Sequence, residues 1–444
     1  MTTFKENFTS YCMTELGPLP EEWRVVRLGE VYVIQQGKAL SPKHREGKSP
    51  FPFLRTANVL WGHVDLSTLD KMDFTPEERE KLRLQRGDLL ICEGGEVGRT
   101  AIWQGELENV YFQNHIFRVR ARTSKTFPLF HMFWMWAAIK LLGLYRGRGN
   151  KTTIPNLSKR RLADFPIPLP PLPEQRAIAY ALRTVQRAKE ATERVVAALK
   201  ELKKSLMKHL FTYGPVPLDQ ADQVPLKETE IGPVPEHWEV VRLGEVANVK
   251  GGKRLPKGHK FSEKPTPYPY IRVVDFRNGT INKANLKFLT PEDYQLLKRY
   301  TISSKDVYIS IAGTIGLVGV VPPDLDGANL TENAAKIVLN DKRLDQLFLV
   351  YALSSERGQE QIHQRAAKTS QPKLALTRIR QIPIPLPPLL EQREIVRILQ
   401  TVDRKIEAEE NRKRTLEALF KTLLHHLMTG RVRVTPGRTD REGG

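Results

Sequence analysis

The chain repeats itself, and the repeat limits what it can fold into. "KTTIPNLSKRRLADFPIPLPPLPEQRAIAYAL" begins at Lys151 and "KTSQPKLALTRIRQIPIPLPPLLEQREIVRIL" at Lys368, 217 residues later. "TELGPLPEEWRVVRLGEV" from Thr14 is answered by "TEIGPVPEHWEVVRLGEV" from Thr229, at an offset of 215. Phe53–Asp65 matches Tyr270–Asn282, Gly87–Gly98 matches Lys305–Gly316, and Asn114 falls on Asn333, an offset of 219. A unit of about 215 residues has been duplicated, whereas solenoid repeats are ~20–50 residues long. The full 444 residues exceed one ordinary domain.

Each copy has two parts. The first mixes strand and helix signals. "DLLICEG" and "DVYISIAG" run apolar between turn residues, as strands do. "TPEERE" at Thr75 and "TPEDYQLL" at Thr290 set Thr before Pro and acids, a helix start. These are expected to be α+β heads. "FPLFHMFWMWAAIKLLGLY", Phe127–Tyr145, has the length of a membrane span, but its counterpart "DQLFLVYALSSERGQEQI" could cross nothing. Equivalent elements share an environment, so both are expected to be packed helices, with no membrane partner.

The second part is a long helix. The ladders "FPIPLPPLP" and "IPIPLPPLL" are extended leads, because Pro lacks an N–H and fixes φ. No Pro or Gly follows from Glu174 to Tyr213 or from Leu389 to Thr429. Ile178, Leu182, Val185, Ala188, Thr192, Val195, Leu199, Leu202, Leu206 and Leu210 form a near-heptad seam. Ile395, Leu399, Val402, Ile406, Leu416, Leu419, Leu423 and Leu427 form the second. Two such seams are best hidden against each other, as an antiparallel coiled coil. The expected fold is therefore α+β, with two similar heads, two long antiparallel helices and a pseudo-two-fold repeat. The pattern divides the chain into a tail (1–15), head 1 (16–172), helix 1 (173–213), a linker (214–230), head 2 (231–389), helix 2 (390–430) and a disordered tail (431–444).

Charge narrows the partner. Lys and Arg number 70 against 50 Asp and Glu, a net charge of +20. Such an excess implies a polyanion: nucleic acid first, then an anionic membrane surface or a ribosomal assembly. Two matched heads on a basic chain suit double-stranded DNA, whose grooves recur every turn. Cys12 and Cys92 make neither a disulfide framework nor a zinc site, and "MTTFKENFTSYC" has no apolar core. A reducing cytoplasm fits.

Catalytic motifs are missing. "GKS" at Gly47–Ser49 lacks the earlier P-loop glycine, since that position is Pro42. "GGEVG" at Gly94–Gly98 is no dinucleotide fingerprint, and its counterpart "AGTIG" marks a turn of the repeated fold. No H-E-x-x-H, Cys/His cluster, G-x-S-x-G or amino-methyltransferase motif occurs. No cofactor or metal is expected on this chain, and no catalytic residue.

Basic, glycine-containing loops instead occupy equivalent places in both copies. Head 1 offers Lys38, Lys43 and Arg45, and then Arg146, Arg148, Lys151 and Thr152. Head 2 offers Lys253, Arg254 and Lys257, and then Arg365, Lys368, Thr369 and Gln371. Cations of this kind contact phosphates. Arg55 and Asn58, matched by Arg272 and Asp275 after strand-like leads, are candidates for reading base edges. A solvated surface charge is the plain alternative for any single one of them.

The duplicated "PIPLPPLxEQRxI" at Pro166–Ile178 and Pro383–Ile395, with its entry motifs "GPLPEEWRVVRLGEV" and "GPVPEHWEVVRLGEV", resembles the specificity subunit of type I restriction-modification enzymes. The resemblance covers nearly the whole chain. It implies that each head is a target recognition domain for half of a bipartite DNA site, and that the helices act as a ruler between the halves. It implies a non-catalytic subunit that recruits two methyltransferase subunits, carrying S-adenosylmethionine and modifying adenine, and two ATP-dependent restriction subunits. The heads differ in sequence, so the two half-sites are expected to differ. Two alternatives stay open here: a related modification system without a type I nuclease, and a non-enzymatic DNA-bridging protein.

Overall fold

The computed structural model describes residues 3–5, 10–40, 50–144, 157–367 and 372–435. The chain forms two compact units, Met1–Glu193 with Asn411–Gly444, and Arg194–Glu410. Each is one α+β head together with one half of each long helix.

In unit 1 an antiparallel sheet runs in the order Thr100–Ile102, Leu89–Cys92, Ile116–Ala121, Tyr32–Gln36. Unit 2 repeats it as Val318–Val320, Val307–Ser310, Ala334–Leu339, Ala247–Gly251. The register repeats too. Val119 lies between Leu89 and Ile34, and Ile337 between Val307 and Val249. The unbroken apolar runs have a physical reason. Leu89 and Ile91 enter one core while Leu90 and Cys92 enter a second on the opposite face. Val307 and Ile309 likewise face away from Tyr308. Both faces are covered, so alternation disappears.

Helix Pro128–Lys140 supplies much of the first core. Leu129, Phe130, Met132, Phe133, Trp134 and Met135 are all buried, so it is apolar all round because it packs all round. No helix of the described residues is long and apolar enough to cross a membrane. Its one polar residue within this run is satisfied. The Pro168 carbonyl can only accept, so His131 Nε2 carries the proton (3.2 Å), and Nδ1 accepts from the Tyr32 hydroxyl at 2.8 Å. Burial lowers the His131 pKa to about 4, and the ring stays neutral. Thr75 and Thr290 cap Pro76–Leu82 and Pro291–Leu297 through their side chains.

The proline ladders become edge strands. Pro166–Leu169 pairs with Arg24–Arg27, and Pro383–Leu386 with Glu239–Arg242, each a two-stranded ribbon in which a missing N–H is tolerated. The following Glu-Gln pair then fastens helix to head. Glu174 accepts from the Trp23 indole at 3.1 Å, and Glu391 from Trp238 at 2.9 Å. Gln175 caps the Phe127 N–H and donates to the carbonyls of Lys125 and Pro170. Gln392 does the same with Asp345, Arg343 and Pro387. Four matched bonds in each copy explain why the two residues recur together.

The long helices span Leu172–Tyr213 and Leu389–Met428. Within each unit their halves run antiparallel. Lys413 reaches Glu193 at 3.0 Å in unit 1, and Lys203 reaches Asp403 at 2.6 Å in unit 2. The seam departs from the expected one midway. Val195 is 41% exposed and Leu202 47%, while Val196 is buried at 9% and Lys203 is half-buried. In the second helix Leu419 is exposed and Phe420 is buried. A strict heptad continues through Lys189, Thr192, Val196, Leu199 and Lys203, and through Glu409, Lys413, Leu416 and Phe420, so polar residues hold seam positions.

The expectation of a disordered 431–444 is corrected for its first five residues. Arg433–Thr435 pairs antiparallel with Thr3–Lys5, Val434 is buried, and Arg433 binds Glu174 and Glu22. The sequence alone gave no partner for that strand, because the partner lies at the other end of the chain.

Candidate nucleic-acid interface

The sheet brings several loops to one end of each head. In unit 1 the strand Tyr32–Gln36 ends at Gly37, whose N–H bonds the Ile116 carbonyl. A Cβ at Gly37 would lie 2.3 Å from the carbonyl oxygens of Phe112 and Gln113, so only glycine permits this approach. Asn114 then donates its N–H to Lys38, Glu93 to His115, and Leu157 to Glu93. Segments 37–40, 93–97, 113–115 and 157 therefore meet at one sheet end.

Unit 2 builds the same corner. A Cβ at Gly252 would lie 2.1 Å from the Thr331 carbonyl oxygen. Gly252 bonds Ala334, Lys253 bonds Leu330, Ile311 bonds Asn333, and Leu374 bonds Ile311, all through the backbone. Ala312 and Lys373 form a further bridge. Gly313, with φ of +73°, has nothing within 4 Å of its Cβ position, so the turn at this corner is open.

The corner of unit 2 is basic. Lys253, Arg254, Lys257, Lys373 and Arg378 are exposed. Arg254 Nε bonds Glu332 Oε1 at 2.6 Å. Burial works to raise the Glu332 carboxyl, but the bonds from Arg254 and Thr331, a backbone N–H and the Arg254 charge together hold the group below its usual range. Arg365 donates to the carbonyl and the amide oxygen of Gln361. Its own carbonyl accepts from Arg378 at 2.9 Å. Lys253 stands 6.0 Å from the Tyr300 ring, and Lys257 has no partner among the described residues. In unit 1 the rim carries Glu93 and His115, 3.2 Å apart.

Several expected contacts have other work. Lys38 bonds Glu78 at 2.5 Å and the Asp73 carbonyl at 2.9 Å, with its side chain only 9% exposed, so it is a structural pair and not a phosphate ligand. Asn58 is buried: its amide accepts from the Arg55 N–H and donates to the Asp65 and Thr68 carbonyls. Asp275 is buried beneath Arg272, which forks onto it at 3.1 and 2.9 Å. Asn58 and Asp275 thus close one repeated turn and cannot present their edges to a base. Arg55, 44% exposed and paired with Asp70 at 3.2 Å, and Arg272 remain beside the corner. The backbone bonds Gln113 to Leu54 and Thr331 to Ile271 place them there. Lys43, Arg45, Arg146, Arg148, Lys151, Thr152, Lys368, Thr369 and Gln371 lie outside the described residues.

The sequence reading missed Glu93, His115, Glu332, Lys373 and Arg378. The matched Asn114 and Asn333 marked the right loop, but their neighbours carry no motif. Among the described residues no three His, Cys, Asp or Glu side chains converge as a metal site. What the corners offer is cations and hydrogen-bonding groups on open turns above a rigid sheet, an arrangement suited to polyanion binding.

Comparison with known proteins agrees with the duplication. A family described as "Type I restriction modification DNA specificity domain" matches residues 20–201 and again 235–418. The putative type I restriction enzyme MjaX specificity subunit of Methanocaldococcus jannaschii is 28% identical over 441 residues, covering 97% of both chains. The EcoBI specificity subunit of Escherichia coli is 25% identical over 386 residues, covering 85% of this chain and 78% of its own. In fold, the chain is similar to the type I restriction-modification S subunit of M. genitalium, with a TM-score of 0.58, 17% identity, and 91% and 96% of the two chains covered.

Proposed function

Because this chain belongs to the type I restriction modification DNA specificity family, we propose that its two heads read the two unlike halves of one DNA site. It is a DNA-recognition subunit of a type I system. It acts with methyltransferase and restriction subunits, two of each in our reading. S-adenosylmethionine and ATP are used on those partners, and this chain contributes recognition without chemistry, in the cytoplasm where the DNA is. The observation that carries the reading is the same loop corner at the same sheet end of a duplicated head, basic in head 2 and built on different side chains in the two copies. Lys253, Arg254, Lys257, Arg365 and Lys373 are assigned to DNA in head 2. The cations and amides of 41–49, 145–156 and 368–371 are assigned to the same work.

The test is co-expression with the methyltransferase subunit of its own system, followed by mapping of methylated adenines in the host DNA. A split motif with two unlike halves is expected. Replacing residues 16–172 with the head of another family member is expected to change one half alone. A change in both halves would remove the modular reading.

A further inference from the structure

The duplication supplies an internal control for every cavity, and one cavity fails to match. Unit 2 contains an open cavity of about 610 Å3 between the first long helix and the junction of helices Gln346–Ser354 and Glu356–Arg365. Its apolar floor includes Met207 and Phe211. In unit 1 the same place is filled. The long-helix offset of 217 puts Phe420 where unit 2 has Lys203. The shared glutamine caps at Phe127 and Asp345 put Trp136 where unit 2 has Ser354. Trp136 and Phe420 lie 5.0 Å apart, and Trp61 stacks on Trp136 at 5.6 Å. In unit 2 Lys203 stays on the cavity lining with its ammonium held by Asp403 over the Tyr351 ring, and Ser354 is exposed. Two replacements have emptied a space that the fold otherwise fills with aromatic rings.

The rim says what is missing. Lys200, Lys204 and Lys208 recur every fourth residue, one helical turn (about 5.4 Å) apart on one face. Lys200 binds Glu410, while Lys204 and Lys208 are exposed with no partner among the described residues. The corresponding unit 1 residues are Glu417, Lys421 and His425, so the row belongs to unit 2 alone. We propose that this cavity is a docking site for a protein partner that inserts one aromatic side chain from an acidic segment. The ring takes the place Trp136 holds in unit 1, and the flanking carboxylates meet Lys204 and Lys208. Duplex DNA is disfavoured as the occupant, because the apolar floor of Met207 and Phe211 suits an inserted ring and offers nothing to a phosphate.

The test uses the full chain and an acetylated, amidated peptide Asp-Glu-Trp-Glu-Asp, titrated by calorimetry at low salt. Saturable binding is expected. It is expected to weaken at least tenfold with alanine in place of the peptide's tryptophan, with Lys204→Glu plus Lys208→Glu, and with Ser354→Trp, which fills the space from within. The two lysines are exposed, so that double variant is expected to keep the wild-type melting temperature even where Ser354→Trp does not. No binding at millimolar peptide overturns the proposal. So does binding that ignores both the tryptophan and Ser354→Trp while a DNA duplex displaces the peptide, a result that would mark the lysines as a phosphate surface.

Discussion

His131 is the residue whose behaviour can be read most directly from its surroundings. It is fully buried in unit 1 between the Tyr32 hydroxyl and the Pro168 carbonyl. Its folded pKa of about 4 lies below the unfolded 6.5. The stability this neutral ring contributes is therefore complete above about pH 6.5 and is lost as pH falls toward 4, to an extent of about 3 kcal/mol at one pKa unit per 1.36 kcal/mol. The equivalent unit 2 residues are Leu349 and Ala247, both buried, so unit 2 lacks this sensitivity. Unfolding measured from pH 7.5 to 4.5 is expected to show the acid loss in the native chain, with the His131-dependent part abolished by His131→Leu with Tyr32→Phe. At this scale the sequence was partly deceptive. Asn58 and Asp275 look like base readers because they are polar and matched, yet a matched polar residue can equally be a repeated turn lock. Only burial separates the two.

At the scale of elements, the long helices were legible because absence of Pro and Gly over forty residues leaves few other choices. Their phase was not. Val195 and Val196 are adjacent and chemically identical, so no apolar pattern chooses between them, and the seam is fixed by polar residues such as Lys203 with its Asp403 partner. Val196→Asp is expected to destabilise by about 3 kcal/mol through a buried charge, and Val195→Asp to change stability by less than about 0.5 kcal/mol. Thermal melts of the two variants check this, and equal effects would reject the observed phase. The Glu-Gln junction was legible as a repeated motif but not as a mechanism. The spacing to Trp23 and Phe127 is long in sequence, and only the fold brings those partners within reach.

The whole molecule follows the repeat in its heads but not in the continuity of its units. Unit 2 is one uninterrupted stretch, Arg194–Glu410, whereas unit 1 is made from Met1–Glu193 and Asn411–Gly444. Phe420, Leu424, Leu427 and Met428 complete the unit 1 core, and Arg433 and Val434 close it. Those residues leave the ribosome after the whole of unit 2. Domains usually mature in the order in which they are synthesised, but here the first head waits, with the apolar face of its helix uncovered, while more than two hundred residues are translated, and the second head is finished before it. Chains arrested on the ribosome with Glu410 just outside the exit tunnel are expected to resist protease across 194–410 and to be cut within 1–193. Protection of both stretches at that stage would show that the first head stands without its late segment. A chain built this way keeps its first head sticky until the second has been made, which makes translation speed through the second head a determinant of how much soluble subunit a cell obtains.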